Sequence, residues 1–189
     1  MGMMDKKYKL PAFISKTLPG VYKIVVHDGL IICTVKPSFI FRCAQLLKDL
    51  SFFKYEEVLD IWGSDYPHRE DRFEVNYLFL NMLTSQRLLL RTYIGESTGL
   101  QSISTLYPSA GWLEREVWDM FGVLFFNNKD LRRILTDYGF DGHPLRKDFP
   151  LSGFLEVRYD DSEKRVVYEP LEVSQEFRTF NFKSPWEKL

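Results

Sequence analysis

With 189 residues, 45% hydrophobic and 27% charged, the chain has the composition of one globular domain with room for an added tail. Its 25 Lys and Arg against 26 Asp and Glu leave a formal net charge of -1, which excludes the basic excess of a nucleic-acid binder. No apolar run approaches the ~18 residues of a membrane span. Cys33 and Cys43, the two cysteines, form no C-x-x-C, which excludes a self-contained cysteine-ligated cluster or a disulfide scaffold; they read as reduced, buried thiols.

Residues 1–20 read as an N-terminal extension. The opening MGMMDKKYKL has no apolar signal region and makes a poor transit peptide, so no leader is expected. Residues 21–27 and 30–35 read as two strands around Asp28-Gly29, a dipeptide that takes positive φ at low cost. Pro37 opens a helix with a stripe of Phe39, Cys43, Leu46, Leu47 and Leu50. Residues 55–62 are a weaker strand, and 63–71 a polar loop. Firmer strands follow at 72–81 (Phe73, Val75, Tyr77, Phe79 on one face) and 87–94 (Leu88, Leu90, Thr92, Ile94), joined as a hairpin. A short helix is expected over 99–107, ended by Pro108. Ser109 is placed to cap a helix over 111–121 that Gly122 closes, with Trp112, Leu113, Val117, Met120 and Phe121 as its buried stripe and Arg115 pairing with Asp119. Residues 156–168 read as a small hairpin around Asp160-Asp161, and 169–189 show neither period nor apolar density. The expected fold is α+β: a mixed sheet with hairpins and flanking helices, then an extended, mostly irregular C-terminal segment. The expected division is extension 1–20, core 21–125, and signature block with tail 126–189.

Nothing in the spacing makes a cofactor box. There is no G-x-G-x-x-G, no G-x-x-x-x-G-K-[ST] and no G-x-S-x-G, and His27, His68 and His143 lie far apart without E-x-x-H or H-x-x-x-H partners. Glu114, Glu116 and Asp119 cluster on one and a half helical turns, and two close carboxylates are able to do acid–base work or hold a hard metal ion. Arg115 among them favours a solvated or partner-facing charged face instead. Arg132, Arg133, Arg146 and Lys147 alternate with Asp130, Asp137, Asp141 and Asp148, a mixture that suits salt bridges better than phosphate binding. Gly139, Gly142, Pro144 and Pro150 are the expected turn formers. Catalytic, cofactor-binding and metal-ligating residues are expected to be absent, and the expected contact residues are Glu114, Arg115, Glu116, Asp119, Arg132, Arg133, Asp137, His143, Arg146, Lys147 and Asp148.

The run E-R-E-V-W-D-M-F-G-V at 114–123, the following L-R-R-I-L-T-D-Y-G-F-D-G-H-P-L-R-K-D-F-P-L at 131–151, E-V-R-Y-D-D at 156–161, E-P-L-E from Glu169, Q-E-F-R at 175–178 and S-P-W-E at 184–187 resemble the 30 kDa subunit of respiratory complex I, in its mitochondrially encoded form. The resemblance continues more loosely through D-Y-P-H-R-E-D-R-F-E-V-N-Y at 65–77. One departure is Asn128, where the family pattern places His or Lys.

The resemblance implies a non-catalytic core subunit of the peripheral arm of proton-pumping NADH:ubiquinone oxidoreductase, on the matrix side of the mitochondrial inner membrane. FMN, iron–sulfur clusters and ubiquinone would be carried by other subunits. Its partners would be the 49 kDa subunit, which it packs on to support assembly and stability of the quinone-reducing module, and the PSST-type and iron–sulfur subunits. Two rivals stand beside it: a related subunit of a membrane-bound hydrogenase, and a free-standing carboxylate-based enzyme.

Overall fold

A computed structural model describes residues 11–173, 175, 178–184 and 186. The chain divides into two compact units, Met1–Phe149 and Pro150–Leu189. The expected signature block therefore falls in two parts, residues 126–149 in the first unit and the remainder in the second.

The first unit is built on a five-stranded mixed sheet. Its strands are β1 (Val21–His27), β2 (Leu30–Val35), β3 (Glu57–Asp65), β4 (Phe73–Asn81) and β5 (Gln86–Ile94), in the order β1-β2-β5-β4-β3. Neighbours are antiparallel except β2 and β5, which run parallel. A parallel pair needs a long crossover. Here that crossover contains a 3-10 turn at Pro37–Phe39, a helix at Ile40–Asp49, then β3 and β4. Asp28 and Gly29 take positive φ, as the first hairpin requires, and Ser85 does so in the β4–β5 turn. Residues 11–17 form helix α1, Ile40–Asp49 is α2 and Ala110–Phe121 is α3. Within the expected extension, Ile14 and Leu18 are core residues.

Alternation along the strands supplies the core. Cys33 and Val35, Leu88 and Leu90, Phe73, Val75, Tyr77 and Phe79, and Ile61 meet Cys43 and Leu47 of α2 and Val117 and Phe121 of α3. Tyr107 ties the segment between α2 and β3 to the sheet: its hydroxyl donates to the Tyr55 carbonyl at 2.7 Å and its ring packs edge-on against Phe79. β4 is almost closed on its other face too. Glu74 and Asn76 are buried there, with Asn76 Nδ2 donating to Glu74 and Arg91 Nε donating to Asn76, each at 3.0 Å.

Residues 99–107 are not a helix. Gly99–Gln101 is strand β6, parallel to β7 (Leu124–Phe126). The amides that a helix would turn on itself are taken elsewhere: Ser102 N–H by the Phe126 carbonyl, Ile103 N–H by Glu114, and Ser104 N–H by Ser102 Oγ. Leu100, Ile103 and Tyr107 are buried all the same. Two stripe assignments also change. Trp112 is 62% exposed because Glu114, Arg115 and Asp119 occupy the buried arc of α3, and Phe39 is exposed at the head of α2. Ser109 has helical dihedrals and no capping bond from its side chain; Gly122, at φ 79°, closes α3 as expected.

Two glycines give opposite expectations. A Cβ on Gly63 would lie 2.8 Å from the Phe121 ring, whereas one on Gly111 would meet only the Ser104 Cβ at 3.7 Å. Gly63→Ala should cost about 1–3 kcal/mol through overpacking, and Gly111→Ala should gain about 0.5–1 kcal/mol of helix stability. Urea unfolding of the two variants checks both signs.

Candidate functional site

The charged residues of α3 face inward, and the block after the helix answers them. Asp119 is fully buried. Its Oδ1 accepts from Arg133 Nη1 at 2.8 Å and Thr136 Oγ1 at 2.5 Å. Its Oδ2 accepts from the amides of Ile134, Leu135 and Thr136 at 3.1, 2.8 and 2.9 Å. Burial raises the pKa of this carboxyl, but the hydrogen bonds outweigh it and hold the group well below the usual carboxylate range. Arg133 also donates to Thr136 Oγ1 and the Gly142 carbonyl, with its guanidinium 5.7 and 5.8 Å from the centres of the Trp118 and Phe140 rings. The expected pair of Arg115 with Asp119 does not form. Arg115 instead donates to the carbonyls of Arg132 and Arg133, at 3.1 and 3.0 Å.

The same block caps the helix. The last carbonyls of an α-helix have no partner within it. Here Asp119 O accepts from His143 Nδ1 at 2.9 Å, Met120 O from the Leu145 amide at 3.2 Å, and Phe121 O from Arg146 Nε at 2.6 Å. The first contact makes Nδ1 the protonated nitrogen of His143, since a carbonyl only accepts. Arg146 adds a positive charge where the helix dipole favours one. Gly122 is needed for space as well as for φ, because a Cβ there would lie 2.5 Å from Arg146 Nη2. Gly142, at φ 103°, lies against the Phe149 ring. Gly139 sits in the turn closed by the Phe140 amide on the Asp137 carbonyl and has open space around it. Pro144 lies in a turn, and Pro150 starts one closed by the Gly153 amide.

A second anchor lies at the ends of β3 and β4. Buried Asp65 takes both Nε and Nη2 of Arg72, at 2.7 and 2.9 Å, and the Lys147 amide at 2.8 Å. The hydrogen bond from Arg72 leads in pushing the Asp65 pKa down. Arg72 also pairs with Glu96 and Asp148, and Arg146 shares Glu96.

Glu114 is fully buried and receives Ser102 Oγ at 2.6 Å, the Ile103 amide at 2.8 Å and Asn128 Nδ2 at 2.8 Å. No cation is paired with it among the described residues. Burial raises its pKa, against the pull of those three donors. The departure at Asn128 is thus one neutral donor to this carboxylate.

The buried members of the expected contact set, Glu114, Arg115 and Asp119, are therefore committed inside the chain, and so are the bonding atoms of Arg133, His143 and Arg146. Glu116, Arg132, Asp137, Lys147 and Asp148 lie at the surface. Sequence reasoning passed over Asp65, Arg72, Glu96, Ser102 and Thr136. Asp65 falls inside the run 63–71 read as a polar loop, although β3 extends to it, and Arg72 follows that run directly; their spacing carries no periodic signal. Among the described residues no group of three His, Cys, Asp or Glu side chains is arranged to hold a metal ion.

The second unit carries a hairpin of β8 (Leu155–Asp160) and β9 (Arg165–Pro170). Register places Leu155 opposite Pro170, Val157 opposite Tyr168 and Tyr159 opposite Val166. These share one face, and Leu155, Val157, Tyr159, Val166 and Tyr168 are 54–57% exposed. On the other face Arg158 grips Glu169 through two hydrogen bonds at 2.8 and 2.7 Å.

A family model described as respiratory-chain NADH dehydrogenase, 30 Kd subunit, matches residues 33–155. NADH dehydrogenase [ubiquinone] iron-sulfur protein 3 of Beta trigyna is 58% identical over 151 residues, which is 80% of this chain and 79% of that protein. NADH-ubiquinone oxidoreductase subunit 9 of Reclinomonas americana is 46% identical over 179 residues, 95% of this chain and 84% of that one. Among solved structures, Nqo5 as its trypsin-resistant fragment (1-134) superposes with a TM-score of 0.50 at 25% identity, covering 68% of this chain and all of the fragment. The words iron-sulfur belong to the name of the Beta trigyna protein. The donors of this chain do not fit a thiolate-held cluster, which takes four cysteines. Its two cysteines are both enclosed in the core, where burial pushes each thiol up to about 12.

Asp119→Ala strands the Arg133 guanidinium and three amides, and should cost about 3–5 kcal/mol. Hydrogen exchange should show residues 133–146 losing protection first. Glu114 gives a pH signature. Its folded pKa lies above the unfolded one, so it subtracts stability as pH rises from the ordinary glutamate range through the raised value. The stability of the parent chain minus that of Glu114→Gln should therefore fall with rising pH in that window, and a flat difference in urea unfolding would count against it. Asp119 has the opposite sign. Its contribution is present above the ordinary aspartate range and is lost only as pH drops toward its depressed value.

Proposed function

The chain belongs to the 30 kDa subunit family of respiratory-chain NADH dehydrogenase, and from that membership we propose that it is a non-catalytic structural subunit of the peripheral arm of complex I. It packs on the 49 kDa subunit and supports assembly and stability of the quinone-reducing module, beside the PSST-type and iron–sulfur subunits. It takes part in NADH:ubiquinone reduction only as part of the whole, with FMN, iron–sulfur clusters and ubiquinone held by its neighbours. No described helix is long and apolar enough to cross a membrane, and the chain attaches to the matrix side of the mitochondrial inner membrane through the complex.

The observation that carries this reading is the β8–β9 hairpin. A two-stranded hairpin is marginal by itself in water. This one orders an apolar face of five side chains, each more than half exposed, over a charged back. Contiguous exposed apolar surface of that kind marks a protein–protein contact. The buried carboxylates speak against the free-standing enzyme, since Glu114 and Asp119 are enclosed and supplied with donors from their own chain. In this reading the enclosed members of the charged set hold the block in shape, and the surface members Glu116, Arg132, Asp137, Lys147 and Asp148 touch partners.

Val157→Asp tests it. The substitution puts a charge on the hairpin's apolar face, at a residue that is no member of the hydrophobic core. The expected outcome is loss of assembled complex on a native gel, with the unfolding midpoint of the isolated chain unchanged. In the assembled complex, trypsin should spare the turn at Lys164 and Arg165 that it cuts in the free chain. Full assembly of the variant, with normal turnover, would overturn the reading.

A further inference from the structure

Along the N-terminal half of α3 lies an open groove of about 330 Å³, whose lining includes Trp112, Arg115, Asn128, Lys129, Asp130 and Arg132. We propose that it receives an acidic segment of a neighbouring subunit, with one carboxylate meeting Lys129 and Arg132 and an apolar side chain resting on Trp112. This rests on the chain being an assembly subunit, but it uses residues of the first unit and none of the hairpin.

Charge complementarity is the main argument. The lining carries three cations and one carboxylate in a chain whose net charge is -1. Lys129 has no hydrogen bond or ion pair among the described residues. Arg132 gives Nε to Asp130 at 3.0 Å, and a guanidinium has further donors to offer. Arg115 is spent on two backbone carbonyls, with its guanidinium 5.0 Å from the centre of the Trp112 ring. Glu114 lies behind Asn128 with three donors of its own, so the charge the groove turns outward is positive.

The second argument is Trp112 itself. It is the large aromatic on α3 that the fold leaves mostly in water, and aromatic anchors beside Arg concentrate binding energy at interfaces. A free phosphate fits less well. The amides of Ala110, Gly111 and Trp112, which would cradle one, already donate to the carbonyls of Tyr107, Pro108 and Ser109.

The test is zero-length carbodiimide cross-linking of the assembled complex, read by mass spectrometry, together with acylation of lysines. The expected result is an amide between Lys129 and an Asp or Glu of another subunit, and loss of the acylation that Lys129 shows in the isolated full-length chain. Lys129→Glu should lower the assembled fraction, and Lys129→Arg should restore it. The exposed position of Lys129 predicts an unchanged unfolding midpoint for both. Lys129 as reactive in the complex as in the free chain would overturn the inference. So would links only within the chain or to a second copy of it. If Val157→Asp blocks assembly while Lys129→Glu does not, the groove fails and the hairpin reading stands.

Discussion

Asp119 sets the constraint around which the region after the third helix is organised. A carboxylate without solvent contact is tolerable only if donors replace its water. Five converge on it from Arg133, Ile134, Leu135 and Thr136. Supplying three amides to one oxygen forces the chain to curl over the end of α3. That curl brings His143, Leu145 and Arg146 to the helix's last three carbonyls. A single buried charge thus fixes a loop of some twenty residues that has no secondary structure of its own. A loop of that length without such an anchor would be unusual in a compact domain.

The second anchor explains why the loop ends where it does. Asp65 takes the Lys147 amide and the Arg72 fork together, so the strand ends and the loop share one carboxylate. Breaking either side leaves a buried or half-buried charge without its partner, and such coupled contacts act as a unit rather than as a sum. Glu114 is the exception in kind. Its three donors are neutral, and burial outweighs them, so its pKa is raised where that of Asp119 is depressed. Two carboxylates on one helix, both out of water, differ because the Thr136 hydroxyl and three amides outweigh burial at Asp119, whereas a hydroxyl, one amide and an asparagine do not outweigh it at Glu114.

Much of the first unit was legible because its signals are local. Asp28-Gly29, the alternation of Phe73, Val75, Tyr77 and Phe79, and Gly122 each report on neighbours a few residues away. What failed was settled at long range. The amides of 102 and 103 were lost to Phe126 and Glu114 and that of 104 to the Ser102 hydroxyl, so the helical spacing of Leu100, Ile103 and Tyr107 described a short strand followed by a turn. The ranking of Trp112 as core and Glu114, Arg115 and Asp119 as surface followed hydrophobicity. It was reversed because the hydrogen-bond partners of those charges sit 11 to 18 residues away along the chain, upstream as well as downstream. The run E-R-E was recognisable as a family signature without revealing that two of its three members point inward.

The two units differ in how their polar and apolar groups are balanced. In the first, buried carboxylates, helix ends and strand ends are answered within the chain, which makes its surface a preformed one. In the second, Arg158 and Glu169 pair on the polar face of the hairpin, and the side chains of the apolar face are more than half exposed. A segment that must bury such a face on something else contributes binding energy only after its ordering cost is met. The inward-facing charges of the first unit reduce that cost where they act, since the groove beside Trp112 is framed by a helix and a loop that Asp119 and Arg115 already hold. In the proposed assembly, docking on the first unit would therefore draw on rigidity, and docking on the hairpin on exposed apolar area. A subunit using both gains a rigid register from one and adhesion from the other.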